Sequence, residues 1–192
     1  MPEPSWTPEG DSDRTIEENW LFRLRRERYR SRVSGLSHDF YVLHLADAVS
    51  VVATTPDGRV ILVRQFRAGS RADSLETPGG LLNRGEDPTV AGARELLEET
   101  GYAGDPPRSL GTFWSNPSLM SSRITTIAIA NARKVADPAP DHGEEVALEL
   151  YPVGEISALI RDGRIDHALA VVGLLAWLVG DRPTSGPPSA PW

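Results

Sequence analysis

The chain has 192 residues, 40% of them hydrophobic and 24% charged, and a net charge of −7. That is enough chain for one domain with a real core, and the mixture is that of a globular protein rather than a disordered one. The acidic balance argues against nucleic acid as a bulk electrostatic partner, and the absence of cysteine excludes disulfides and thiolate metal sites.

Residues 1–17, "MPEPSWTPEGDSDRTIE", are polar, acidic and Pro-rich, and are expected to form a flexible arm. They lack the basic start and apolar run of a signal peptide. Strands are expected over 18–45. Within them "FRLRRERYRSR" (22–32) holds six arginines. They suit either a phosphate-binding strip or a solvated edge strand whose charge discourages further pairing. The second reading is preferred, because only this short segment is basic. The run "FYVLHLADAVSVVATT" (40–55) is apolar and β-branched, and "GRVILVRQFR" (58–67) follows across the turn-forming Pro56-Asp57-Gly58. The two should form an antiparallel hairpin.

A helix is predicted over 88–100. Asp87 can cap its free amides, Pro88 suits the first helical position, and Gly101 suits a left-handed stop. At 100° per residue Glu95, Glu98 and Glu99 share a face. Val90, Ala93 and Leu97 lie opposite, and that side is expected to meet the core. Ala91 and Gly92 fall on the carboxylate side and leave room for an approach. Like charges at these spacings cost about 0.2–0.5 kcal/mol per pair, and they crowd the end of the helix where the macrodipole disfavours them. A divalent cation would reverse that penalty, and oxygen-only donors suit Mg²⁺ or Mn²⁺. A solvated acidic face balanced by Arg94 is the plainer alternative.

Further strands are predicted near 109–115, at 123–132 and at 146–152, with helices over 153–162 and 165–180. The longest apolar stretch, "ALAVVGLLAWLVG" (168–180), falls short of the ~20 residues that span a bilayer. It reads as a buried terminal helix, so no membrane is expected and a cytoplasmic location is. Residues 182–192, "RPTSGPPSAPW", read as a Pro-rich flexible tail. Strands in a run with isolated helices suggest an α+β fold, helices packed on a mixed sheet.

With its spacing, the stretch "GGLLNRGEDPTVAGARELLEETGY" (79–102) is Gly80, five residues, Glu86, seven residues, then Arg94-Glu95-Leu96-x-Glu98-Glu99-x-Gly101-Tyr102. It resembles the Nudix hydrolase box at every fixed position, with Tyr102 where an aliphatic residue is more usual. Gln65-Phe66-Arg67, "ETPGG" (76–80) and "SNPSLMSSR" (115–123) resemble the ADP-ribose pyrophosphatase branch. The resemblance covers about residues 20–180. It implies an α/β/α sandwich over 46–181 and a small N-terminal antiparallel sheet before residue 45 that builds a homodimer.

The resemblance also implies roles. Glu95, Glu98, Glu99 and the Gly79 carbonyl would hold Mg²⁺, with Mn²⁺ able to substitute, and Glu98 and Glu99 would serve catalysis. Glu86 and Arg94 would brace the loop against the helix. The general base would come from "DPAPDHGEEV" (137–146), where Glu144 is favoured over Glu145 and Asp141. Pro117, sixteen residues after Gly101, marks ADP-ribose-type members. No acid follows it in Ser118–Arg123, which leaves a different sugar or a broader range open. Arg67 and Arg123 could hold phosphates. Trp114 and Phe66 could stack on a base, although core packing is the plainer reading of both. The expected reaction is Mg²⁺-dependent hydrolysis of ADP-ribose or a related nucleoside diphosphate sugar. Other Nudix substrates and a nucleotide-sensing module without catalysis are the alternatives.

Overall fold

The computed structural model describes residues 3–140, 143 and 145–180. The chain divides into two units: residues up to Ala46 together with Trp114–Arg123, and Asp47–Phe113 together with the chain from Ile124 onward.

The first unit is built on a long strand, β3 (Phe22–Ser31). β1 (Trp6–Pro8) and β2 (Arg14–Glu18) pair antiparallel along one side of it, and β4 (Ser37–Leu45) pairs along the other. The segment expected as an arm therefore carries two strands. No apolar alternation marks them, since every residue of β2 is exposed. β1 is held by Trp6, whose ring stands edge-on to Phe40 at 5.4 Å, and β2 is flanked by ion pairs to β3. The arginine strand is central rather than an edge, and each of its arginines meets an acid. Arg23 meets Glu18 (2.5 Å), Arg25 meets Asp13 (3.3 Å), and Arg26 meets Asp39 (3.7 Å). Arg28 lies between Asp39 (2.8 Å) and Glu9 (3.6 Å), Arg30 meets Glu9 (2.6 Å), and Arg32 meets Glu3. The arginines of the strip are thus matched by acids of its own sheet and neighbouring turns. The one acid of the strand, Glu27, is buried; it accepts from Tyr29 Oη (3.0 Å) and lies 2.7 Å from His44 Nε2.

Residues 114–123 are tied to β4. Leu43 N–H donates to the Leu119 carbonyl (2.8 Å), and Ser121 N–H donates to that of Leu43 (3.0 Å).

The apolar run 40–55 is not one strand. It ends as β4 at Leu45 and resumes as β5 (Ala48–Thr54) in the mixed sheet of the second unit. Its partner β6 (Arg59–Arg67) follows across the expected turn, where Gly58 takes φ 77° and Thr55 N–H donates to the Arg59 carbonyl (2.8 Å). β7 (Ala72–Glu76) pairs with β6. The sheet order is completed by β9 (Arg108–Trp114), β10 (Arg123–Ile129) and β12 (Val146–Pro152), giving β12-β6-β5-β10-β9. β5 and β10 run parallel, the other pairs around β6 antiparallel. Two-residue strands β8 (Tyr102–Ala103) and β11 (Arg133–Lys134) form a small ladder beside it.

Side chains alternate across β5. Val49, Val51 and Ala53 pack with Ala91 and Leu96 of α1 (Pro88–Thr100). Val52, with Val60 and Leu62 of β6, packs with Ile156 and Leu159 of α2 (Ile156–Arg161) and with Ala170 and Leu174 of α3 (Ala168–Val179). One sheet between helices on both faces is the α/β/α form of an α+β fold. Each fully buried Leu, Ile or Val contributes about 1.5–3 kcal/mol of burial free energy. Among the described residues no helix is long and apolar enough to cross a membrane. The proposed tail, 182–192, lies outside the described residues.

Candidate active site

α1 starts and stops where its residues require. Asp87 Oδ1 accepts from Thr89 N–H (2.8 Å), Pro88 occupies the first turn, and Gly101 closes the helix at φ 73° with its N–H on the Leu97 carbonyl (2.8 Å). The face turned inward differs from the expected one. Val90 is 59% and Leu97 39% exposed, and Ala93 is exposed too, while Ala91, Gly92, Leu96, Glu99 and Thr100 are buried. The reason is distance. A Cβ on Gly92 would stand 3.0 Å from Ile127, so the small residues let helix and sheet close up. The room left by Ala91 and Gly92 is taken by the sheet.

Glu99 is thereby drawn into the core edge, 3% exposed. The Gly79 N–H donates to its Oε2 at 2.9 Å. The loop that supplies this amide is stitched to β5: Val49 N–H donates to the Gly80 carbonyl (2.9 Å) and Val51 N–H to that of Pro78 (2.7 Å). Gly80 has no side chain where Glu95 lies; a Cβ there would stand 2.4 Å from Glu95 Oε1.

Arg94 is the hub of the remaining acids. Its Nε and Nη2 donate to Glu86 (3.0 and 3.1 Å), and its Nη1 donates to both Glu95 Oε1 and Glu98 Oε2 (2.9 Å each). The contact with Glu86 raises the guanidinium above its already high value. In return Arg94, helped by the Asn83 N–H, holds the Glu86 carboxyl down at about 2. Glu86 also accepts from that N–H at 2.9 Å, so one carboxylate pins both the loop and the helix.

Among the described residues no three acids or histidines already converge on a common point for a cation. Two of the three helix carboxylates are turned to Arg94 instead. The donor set nevertheless fits a hard divalent ion. Three carboxylates stand on one helix face beside a glycine pair that admits the backbone closely, and the Arg94 guanidinium already bridges two of them.

Of the expected substrate contacts, Arg67 is turned to an acid. Its Nε and Nη2 form a fork on both oxygens of Glu76 (2.9 and 2.8 Å). Glu76 opens the "ETPGG" stretch, and an acid one hairpin strand away from a candidate arginine is the signal the sequence carries for this pair. Phe66 is 60% exposed and not a core residue, as is fitting for the outward side of β6. Trp114, Pro117 and Arg123 belong to the first unit. There the Arg123 guanidinium carbon lies 4.5 Å from the centroid of the Trp114 ring. Arg123 is buried, Trp114 is 43% exposed, and Pro117 is exposed in a turn where the Asn116 carbonyl accepts from Leu119 and Met120 (3.0 and 2.7 Å). Of the loop acids, Glu145 is exposed, while Asp141 and Glu144 lie outside the described residues.

Comparison with known proteins gives the same assignment from another direction. The NUDIX domain model matches residues 44–171. The chain is 29% identical over 167 residues to an ADP-ribose pyrophosphatase of Mycobacterium tuberculosis, covering 86% of this chain and 80% of that protein. It is 32% identical over 106 residues to the ADP-ribose pyrophosphatase of Bacillus subtilis, covering 55% and 57%. A crystal structure described as an ADP compounds hydrolase superposes with a TM-score of 0.80 at 21% identity, over 93% of this chain and 95% of that one, which shows the fold.

Proposed function

Since this chain belongs to the NUDIX domain family and is a Nudix hydrolase, we propose that it hydrolyses the pyrophosphate bond of ADP-ribose or a related nucleoside diphosphate sugar. The products are a nucleoside monophosphate and a sugar phosphate, and the metal is Mg²⁺, with Mn²⁺ able to replace it. The observation that carries this reading is the Arg94 hub with the Glu99 seat: four acids at the spacing of the box are organised by one guanidinium and one glycine amide.

Glu95, Glu98, Glu99 and the Gly79 carbonyl would hold the metal. When bound it neutralises clustered phosphate charge and lowers the pKa of water. The protein's part is placement. Glu86 and Arg94 keep the loop and α1 in register, and Gly79 fixes which way the Glu99 carboxylate points. Arg67 contributes positive charge to the diphosphate. Trp114, backed by Arg123, offers an exposed ring to a base, and Pro117 shapes the turn that follows it. Glu144 is the proposed base that takes the proton from water. The enzyme acts in the cytoplasm as a homodimer through its N-terminal strands. The absence of an acid in Ser118–Arg123 favours a range wider than ADP-ribose alone.

The test is turnover of ADP-ribose, GDP-mannose, NADH, flavin adenine dinucleotide and diadenosine polyphosphates, with and without Mg²⁺, the released monophosphates being identified by chromatography. ADP-ribose or another nucleotide sugar should be the best substrate. No turnover with any divalent cation would remove the reading. Glu99→Gln should lower kcat by several orders of magnitude while leaving the fold intact, seen as a retained cooperative melting transition; an unchanged rate would take Glu99 out of the metal site.

A further inference from the structure

Glu76 is a buried acid to which the reaction assigns nothing. It ends β7 at 3% exposure, three residues before Gly79. Burial pushes its carboxyl up, but Arg67, together with His167 and Ser74, holds it below the usual carboxylate range. On its other side stands His167, at the N-terminal cap of α3, with Nδ1 3.7 Å from Oε2.

The register makes this contact an unusual one. Across the β6–β7 pair Arg67 faces Ala72, while Glu76 faces Val63. Arg67 therefore reaches Glu76 by lying back along its own strand, across the Gln65–Ser74 pair, rather than extending into water. The two side chains differ sharply in access: Glu76 is 4% exposed and Arg67 42%. The guanidinium is thus gripped by a buried carboxylate while the arginine side chain as a whole keeps much of its exposure. An ordinary surface arginine samples many rotamers, and a ligand that immobilises it must offset that lost freedom. A planar fork already held by a carboxylate has lost it before the ligand arrives.

We propose that Glu76 is a positioning residue for substrate binding. It aims the Arg67 guanidinium at the diphosphate of the nucleotide. His167 stands beside the same carboxylate, 3.7 Å from Oε2. This rests on the reading of Arg67 as a phosphate contact. The competing account is that Arg67 serves only to neutralise a buried acid. That account leaves the acid itself unexplained, since an apolar residue of similar size would fill the position without a charge to desolvate.

The two accounts part in a binding experiment. Affinity for ADP-ribose is measured by calorimetry in the Glu99→Gln background, where turnover does not interfere, alongside melting temperature and, in the wild-type background, KM and kcat. Glu76→Gln should weaken binding about tenfold and raise KM by a similar factor, with kcat changed far less. Arg67→Lys, which keeps the charge and loses the fork, should do the same. Glu76→Asp, which keeps the charge on a shorter arm, should fall between wild type and Glu76→Gln, and it supplies the test if Glu76→Gln does not fold. Wild-type affinity in Glu76→Gln, or in Glu76→Asp where the former is unfolded, overturns the proposal whatever the melting temperature does. Arg67→Ala then tells the failures apart. If it weakens binding, only the positioning role falls; if it does not, the phosphate role of Arg67 falls with it.

Discussion

Replacing Gly79 by alanine should disable the site through the backbone. A Cβ at this position would stand 2.1 Å from the Val49 carbonyl oxygen, where real Cβ contacts essentially never come under 3.0 Å. The obstacle is main chain at the start of β5, so the loop must retreat by about 1 Å rather than a side chain turning aside. Three hydrogen bonds cross the gap that would open: Val49 N–H to Gly80, Val51 N–H to Pro78 and Gly79 N–H to Glu99. Losing all of them costs about 2.5–6 kcal/mol, taking ~0.5–1.5 for each neutral bond and ~1.5–3 for the one to a carboxylate. A displacement of about 1 Å in catalytic geometry is worth roughly a hundredfold in rate. Gly79→Ala should therefore lower kcat by about two orders of magnitude and the urea midpoint by about 1 M or more. Gly154→Ala, with nothing within 4 Å of its new Cβ, is the matched control and should change neither. A Gly79→Ala protein with wild-type kcat and midpoint would refute the claim that this loop is held against β5 by contact.

The helix cap and the loop brace give two further expectations. Asp87→Ala removes the acceptor of Thr89 N–H; it should cost about 1 kcal/mol, seen as a fall of about 2–4 °C in melting temperature, and an unchanged transition would show that α1 needs no cap. Glu86 titrates at about 2 rather than the usual 4.5. Because its folded value is the lower one, its contribution to stability is complete above 4.5 and is lost as pH falls from there through 2. A carboxyl-carbon NMR titration should place its midpoint near 2 in the folded protein; a midpoint near 4.5 would mean that Arg94 is not bound to it in solution.

How much of this was legible depends on where the signals were. The ends of α1 were written in Asp87, Pro88 and Gly101, each with a local reason to be there, and the structure uses all three. Its inner face was not, because apolar residues were taken to point inward. Val90 and Leu97 point out, while Gly92 faces Ile127, and closeness of approach decided the face where hydrophobicity did not. The hairpin across Pro56-Asp57-Gly58 was plain from its turn chemistry. The N-terminal strands were hidden, since β2 buries nothing and is held by ion pairs that exist only once β3 lies beside it. The carboxylates of the site could be named from spacing. That Arg94 would gather three of them, and that Arg67 would be gripped by Glu76, required the coordinates of both partners.

The alternating arginines of β3 are indifferent to alignment. Asp39 already meets both Arg26 and Arg28, and Glu9 both Arg28 and Arg30, so a neighbour sliding by two residues would find another guanidinium waiting. Such a slide also keeps every side chain on its own face, and facing alone would not resist it. Glu27 does. It is the single acid in the strand, buried, with His44 of β4 at 2.7 Å. Moving β4 by two residues would carry the imidazole away from the buried carboxylate and leave it the Tyr29 hydroxyl of its own strand, at a cost of about 1–3 kcal/mol for a buried hydrogen bond lost. His44, together with the Phe40 ring set against Tyr29 and Trp6, thus opposes a drift that the five arginines of β3 would allow.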